Sequence, residues 1–212
     1  KIAFSPGEYY HLYNRGNSKQ KIFRDKRDYA RFVELLYLCN TNRSFVAQYI
    51  SKNHFDFYRP DTLVDIGAYC LMPNHFHILV KEKEEGGISR FMQKLSTAYV
   101  MYFNTRHERS GGLFEGKFKA EYIDNDRYLK YIFSYIHLNP LKLIDKNWKL
   151  HGLKSRTGTE KFLKEYRFSS HDEYLGEKRV QSAIIFQQAF PKYFPQPKDF
   201  IAEIGDWIKY TQ

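Results

Sequence analysis

The chain has 212 residues, of which 42% are apolar and 18% aromatic, and its 34 Lys and Arg against 24 Asp and Glu give a formal net charge of +10. This composition excludes a disordered or low-complexity chain, and the length fits one domain or one domain with an extension. The charge favours a polyanionic partner such as nucleic acid, since cationic side chains release condensed counterions on binding, although a soluble basic protein without such a partner has the same composition.

The two cysteines and the hydropathy pattern favour neither a disulfide scaffold nor a membrane protein. Cys39 and Cys70 lie in separate apolar stretches, so we expect both in the core. No apolar run reaches the roughly 20 residues that are needed to cross a bilayer, and residues 1–6 lack the core of a signal peptide. We therefore expect a cytoplasmic protein.

The first two predicted elements are a strand and a helix. Residues 9–14 are rich in aromatic strand formers and lie between Pro-Gly and Arg-Gly pairs, which favour turns. Residues 25–38 carry apolar side chains at helical spacing, and Asp25 is placed to cap the helix. Residues 40–60 show no clean periodicity and support no assignment.

A hairpin, a second helix and a fourth strand follow. Residues 63–71 and 75–81 predict two antiparallel strands, because a short Met-Pro-Asn turn joins them. Residues 88–105 carry an apolar stripe on one face after two glycines, which is typical of an amphipathic helix. Residues 118–123 complete the predicted strands.

The third predicted helix spans residues 126–138, with Asp124 or Asn125 as its cap and Pro140 after its end. The order β-α-β-β-α-β, then α, predicts an α+β ferredoxin-like fold, in which a four-stranded antiparallel sheet carries two helices on one face. We expect a domain over residues 1–145, whose added helix carries a candidate tyrosine, and a small helical and loop extension over residues 146–212 packed on or near it.

His75 and His77 are the first candidate site residues. Side chains alternate along a strand, so both imidazoles project from one face while Phe76 faces the other way. Imidazole binds most first-row divalent metals, and a site completed by oxygen ligands and waters also accepts Mg²⁺ or Mn²⁺. An isolated His-x-His pair is more often two polar surface residues. Here, however, the strand around it is apolar, which favours a functional role.

Tyr135 and Asn139 lie one turn apart on the third predicted helix, so one face offers a hydroxyl and an amide oxygen. A phenol with a pKa of about 10 is a weak nucleophile, but a nearby divalent cation polarises a phosphate and favours the phenolate. That pair suits phosphodiester cleavage, although such a helix alone is more often a packed aromatic helix. His137 points about 200° away from Tyr135, so we expect a flanking or DNA-facing residue.

Two segments, residues 68–80 and 135–142, closely resemble the single-tyrosine transposases of the HUH endonuclease superfamily. The nearest branch is that of the insertion-sequence-like REP-associated tyrosine transposases. Three further segments resemble the same branch: residues 10–17, 111–118 and 169–176. The combination of Pro-Asn-His-hydrophobe-His with a distant Tyr-x-x-x-Asn-Pro is far more specific than either half.

The resemblance implies a site in which His75, His77 and Asn139 bind a divalent metal, Mg²⁺ or Mn²⁺, and Tyr135 is the nucleophile. In this family the tyrosine attacks single-stranded DNA beside a hairpin or palindromic element and forms a 5′-phosphotyrosine bond, and the freed 3′-hydroxyl later rejoins strands. The implied protein is a bacterial single-strand DNA endonuclease and strand transferase that acts on nucleoid DNA as a monomer or homodimer.

We expect DNA contacts from cations that follow the phosphates and from an aromatic ring that stacks on a base. These residues are Arg15, Lys19, Lys21, Lys117, Lys119, Lys130, Lys142 and Phe114. Phe118 and Tyr122 are further stacking candidates, and core packing accounts for at least two of the three rings.

Two other functions stay open. A catalytically silent, domesticated hairpin-binding protein or regulator keeps the fold without the cleavage. A relaxase or rolling-circle initiator shares the histidine pair and the tyrosine chemistry, but it usually orders its motifs differently and often uses two tyrosines.

Overall fold

A computed structural model describes residues 3–45, 53–151, 153 and 155–209. Within these residues it has an α+β fold with one four-stranded sheet. The strands are β1 (Tyr9–Arg15), β2 (Val64–Met72), β3 (His75–Glu82) and β4 (Lys119–Ile123). The helices are α1 (Lys26–Leu38), α2 (Gly87–Arg106), α3 (Asp126–Leu138), α4 (Trp148–His151), α5 (Arg156–Glu165), α6 (His171–Tyr174) and α7 (Pro197–Lys209).

All strand pairs in the sheet are antiparallel, and the strand order is β2-β3-β1-β4. This order confirms the ferredoxin-like prediction. β1 lies in the middle of the sheet, with Tyr13 opposite His77 on β3 and His11 opposite Glu121 on β4. Strand pairing therefore places titratable side chains from distant parts of the sequence next to each other.

The two faces of the sheet carry different helices. Leu12 and Phe76 belong to the core cluster that α1 and α2 cover, whereas Leu79 packs with Ile132 and Ile136 of α3 on the opposite face. Because side chains alternate along a strand, the odd-numbered residues of β1 and β3 point towards α3. The histidines predicted as a pair thus lie beneath the third helix.

The chain beyond α3 packs against β2 and α3. Backbone hydrogen bonds join β2 to the later chain, from Leu71 N to Phe168 O (2.9 Å) and from Phe186 N to Ile66 O (2.9 Å). A third apolar cluster holds α7 against the end of α3; its buried members include Leu138, Trp148, Phe200 and Ile204. In the described residues this extension covers the β2 edge of the sheet, while β4 forms the opposite edge.

The structure corrects the expectation that His137 is a flanking or DNA-facing residue. His137 is fully buried, and its ring nitrogens lie 2.8 Å from Phe133 O and 2.8 Å from Ser170 Oγ. The helical geometry that separates His137 from Tyr135 holds, but the extension, rather than solvent, covers that side of α3.

Other expectations from the sequence have definite outcomes. Cys39 and Cys70 are buried free thiols, as predicted. The unassigned segment contains a short 3-10 turn at His54–Asp56, and its residues 46–52 lie outside the described part of the chain. No helix in the described residues is long and apolar enough to cross a membrane.

Candidate functional site

Three histidines and a tyrosine form an aromatic cluster between the sheet and α3. His77 lies at the centre: its ring centroid is 5.0 Å from that of His11 on β1, 5.0 Å from that of His75 and 5.4 Å from that of Tyr135. The His11 ring is 5.8 Å from Tyr135. The fold thus brings His75, His77 and Tyr135 together, and it adds His11 to them.

The hydrogen bonds of His75 and His77 leave one nitrogen of each ring free. His75 Nδ1 lies 2.7 Å from Asn74 Oδ1, an acceptor, so Nδ1 carries the proton and Nε2 keeps a lone pair. His77 Nδ1 lies 2.9 Å from His11 Nε2, and His77 Nε2 is buried with no hydrogen-bond partner among the described residues. This nitrogen keeps a lone pair next to His75 and Tyr135, which makes it a candidate metal-binding atom.

Burial keeps both histidines of the candidate metal site neutral. It lowers the pKa of His75 to about 4 and that of His77 well below 6.5, and the Lys142 ammonium adds to both shifts. A neutral imidazole is the form that binds a metal ion. The site is therefore ready for a cation at neutral pH without first losing protons from these rings.

Asn139 connects the end of α3 to this cluster. Its Nδ2 donates to Tyr135 O (2.9 Å), and its Oδ1 accepts from Lys142 Nζ (2.9 Å). A carbonyl oxygen has two lone pairs, so Oδ1 keeps one for a further partner. Burial raises the pKa of Tyr135, and the Asn139 side chain opposes that rise. The phenol is thus protonated at neutral pH.

The two imidazole nitrogens fit a divalent cation, and the Asn139 amide oxygen, which accepts from Lys142 Nζ, is the third candidate ligand. The described residues contain no group of three or more His, Cys, Asp and Glu that is suited to hold a metal. An ion at this site would therefore complete its shell with water or substrate oxygens, as Mg²⁺ and Mn²⁺ do readily. The unpartnered Nε2 of His77 is the observation that supports this fit.

Sequence reasoning missed three residues near Tyr135. Lys149 on α4 places its Nζ 5.2 Å from the centre of the Tyr135 ring, as does Lys142. Glu121 on β4 lies 3.6 Å from His11 Nδ1. Strand alternation in residues 9–14 was a usable signal for His11, but no local pattern singles out Glu121 or Lys149.

The residues predicted to contact DNA differ in their exposure and in their partners. Lys142 lies at Tyr135, Lys130 forms an ion pair with Glu203 (2.7 Å), and the ring of Phe114 packs edge-on against Phe76 at 5.9 Å. Arg15 is exposed and pairs with Glu115 at the surface. Four lysines are exposed: Lys19, Lys21, Lys117 and Lys119. Of the two further stacking candidates, Phe118 stacks on Phe4 and Tyr122 is 46% exposed.

Comparisons with known proteins agree with the motifs. Residues 6–139 match the family model described as "Transposase IS200 like". A solved structure of a REP-associated tyrosine transposase bound to a REP hairpin has the same fold, with a TM-score of 0.52 and 13% identity over 85% of this chain and 88% of that chain. No curated protein matches the sequence significantly. Because the family model covers more than half of its residues, the chain belongs to the IS200-like transposase family.

Proposed function

We propose that this transposase is a single-strand DNA endonuclease and strand transferase that cuts beside a hairpin or palindromic element through a 5′-phosphotyrosine intermediate. One observation carries the proposal: the buried Nε2 of His77 has no partner in the described residues, and its ring lies 5.4 Å from that of Tyr135. Hairpin DNA is the proposed substrate because the structurally similar transposase was solved with a REP hairpin.

His75, His77 and Asn139 would hold a divalent cation, Mg²⁺ or Mn²⁺. Such an ion supplies Lewis-acid polarisation of a phosphate and favours the phenolate. The Tyr135 oxygen forms a bond to phosphorus as the bond from phosphorus to the 3′-oxygen breaks, the phenol loses its proton and the departing 3′-oxygen gains one. Lys142 and Lys149, whose ammonium groups lie 5.2 Å from the ring centre, offset the negative charge of the phosphate.

Rejoining reverses these bond changes. A 3′-hydroxyl attacks the phosphotyrosine, the tyrosine oxygen leaves and takes up a proton, and a new strand results. Because the proposed substrate is bacterial DNA, the proposed location is the cytoplasm. The proposed active form is a monomer or a homodimer.

The test uses labelled hairpin oligonucleotides with single-stranded flanks, incubated with the protein and Mn²⁺ and then resolved on a denaturing gel. We expect a covalent adduct with the wild type and none with Tyr135→Phe. Tyr131→Phe is the matched control, because Tyr131 lies one turn away with its ring 5.9 Å from that of Tyr135. It should form the adduct.

Two results contradict the proposal. If Tyr135→Phe still forms the adduct and a variant of another tyrosine does not, that other tyrosine is the nucleophile. Tight hairpin binding without any adduct, whatever the hairpin, favours the hairpin-binding regulator.

A further inference from the structure

A line of two side chains, the Glu121 carboxylate and the His11 imidazole, leads to the Nδ1 side of His77. Glu121 and His11 lie opposite each other on neighbouring strands, with Glu121 Oε2 3.6 Å from His11 Nδ1. This is a charge contact rather than a hydrogen bond, since His11 Nδ1 has no hydrogen-bond partner among the described residues. His11 Nε2 is 2.9 Å from His77 Nδ1. The line ends at His77 Nε2, the buried nitrogen without a partner among the described residues.

Glu121 is held in place although its side chain is 47% exposed. The Tyr13 hydroxyl donates to one carboxylate oxygen (3.0 Å) and the Tyr128 hydroxyl to the other (3.1 Å). One donor comes from β1 and the other from α3, so the sheet and the helix above it both fix the carboxylate. A carboxylate fixed in this way favours one orientation of the neighbouring imidazole.

The charge of Glu121 determines which nitrogen of each imidazole carries the proton. An ionised carboxylate only accepts hydrogen bonds, so the proton of a neutral His11 lies on Nδ1, facing Glu121. His11 Nε2 then accepts, and His77 must donate from Nδ1. The opposite order would set the lone pair of His11 Nδ1 against a carboxylate.

We propose that Glu121 and His11 form a positioning relay that holds His77 as the Nδ1–H tautomer and directs its Nε2 lone pair at the metal position. This inference rests on the proposed metal site. Neither relay residue would touch the metal or the DNA. The other imidazole, His75, depends on the Asn74 side chain instead.

The first test measures Mn²⁺ binding by titration calorimetry on the full chain without DNA. Loss of the partner that orients a metal-bound histidine typically weakens metal binding by about 10- to 100-fold, and we expect a loss in that range for His11→Phe. Glu121→Ala should weaken binding less, because it leaves His11 in place. Glu121→Gln should recover part of the loss, because an amide oxygen replaces the carboxylate oxygen that faces His11 Nδ1.

The second test observes the tautomers directly. In metal-free protein labelled with ¹⁵N-histidine, long-range ¹H–¹⁵N correlation spectra should show His77 protonated at Nδ1, assigned by comparison with His77→Gln. His11→Phe should move population to the Nε2–H form. Tyr9→Phe is the control: it removes a hydroxyl on the same face of β1 whose partner is Ala189 O (3.4 Å), and it should change neither the tautomer nor the affinity.

The relay alone is overturned by a wild-type His77 protonated at Nε2, or by Mn²⁺ binding of both His11→Phe and Glu121→Ala as tight as that of the wild type. Glu121 is on an exposed edge strand, so its variants keep the inference testable if His11→Phe fails to fold. Wild-type protein that binds no Mn²⁺ contradicts the metal site of the proposed function and overturns the relay with it. Equal binding by wild type and variants overturns the relay alone.

Discussion

Two lysine ammonium groups lie against the Tyr135 ring, and they come from different parts of the chain. Lys142 belongs to the 3-10 turn after α3, and Lys149 belongs to α4 in the extension. Burial lowers the pKa of both lysines. A phosphate brought to Tyr135 therefore meets two cations. Lys142 is half-buried, where a charge contributes more than it does in water, and Lys149 is exposed.

We predict that Lys149→Ala slows formation of the tyrosine adduct about tenfold, which corresponds to about 1.4 kcal/mol of transition-state stabilisation. Lys149 contacts the ring of Tyr135 and none of the proposed metal ligands, so Mn²⁺ affinity should stay at the wild-type value. Single-turnover gel assays and calorimetry measure the two quantities.

The control for this prediction is Lys164→Ala, which removes an exposed extension lysine that pairs with Glu177. It should leave the rate of adduct formation unchanged. A wild-type rate for Lys149→Ala would contradict the assigned role, and an equal loss in both variants would indicate a general effect of charge.

The sequence predicted the residues of the site that belong to local motifs. His75 and His77 lie two apart on a strand, and Tyr135 and Asn139 lie one turn apart on a helix, so short-range geometry places each pair correctly. Their metal and nucleophile roles remain predictions. Glu121 was beyond sequence reasoning because only the β1–β4 register sets it opposite His11.

At the scale of elements, β2 depends on a glycine for its contact with the extension. Gly67 lies at an irregularity of the β2–β3 ladder between Ile66 and Ala68. A Cβ atom at Gly67 would lie 2.7 to 2.9 Å from three ring atoms of Phe190, which is closer than packed carbon atoms approach. Phe190 in turn packs edge-on against Phe133 of α3 at 5.7 Å. Because Gly67 has no side chain, the Phe190 ring contacts both β2 and α3.

We predict that Gly67→Ala lowers the free energy of unfolding by about 1–3 kcal/mol, the usual effect of overpacking a core. The Phe190 ring or the strand must shift to make room for the methyl group. Urea unfolding followed by circular dichroism measures the change.

Gly112→Ala provides the comparison, since a Cβ there would meet only Phe114 O at 3.9 Å. It should unfold within about 0.5 kcal/mol of the wild type, as surface substitutions usually do. Wild-type stability of Gly67→Ala would show that Phe190 does not pack on β2 as described.

The elements up to α3 were predictable and the later chain was not. Predicted and observed bounds agree to within one residue for all seven predicted strands and helices, and they are identical for residues 126–138. Their periodicity is local and strong. The extension consists of short helices and 3-10 turns whose positions depend on contacts with β2 and α3. For the same reason, the expected exposure of His137 was wrong.

Among the residues that the structure describes, burial keeps five imidazoles neutral. Burial lowers the pKa of His11, His75 and His171 to about 4, that of His137 to about 3 and that of His77 well below 6.5. Three of these rings line the candidate site and two lie where α3 meets the extension. Protonation of these histidines in the unfolded chain therefore lowers the free energy of unfolding, and each histidine contributes to the loss.

The sign of the pH dependence follows from these shifts. Each folded-state pKa is below the unfolded value of about 6.5, so below that pH the unfolded chain binds more protons than the folded chain. Stability is fully present above pH 6.5 and is lost as the pH falls towards 4. We predict that each of these histidines costs about 1 kcal/mol of unfolding free energy between pH 7.5 and 5.5.

Urea midpoints at the two pH values, measured with a chelator present, test this prediction, and His171→Leu separates one contribution from the rest. His171 packs against Phe200 at 5.4 Å, and its Nδ1 has no partner in the described residues, so an apolar side chain suits the position. The variant should show a pH dependence that is smaller by about 1 kcal/mol. A pH dependence equal to that of the wild type would mean that His171 is protonated in the folded protein, and a wild-type midpoint independent of pH would contradict the buried neutral state of the group as a whole.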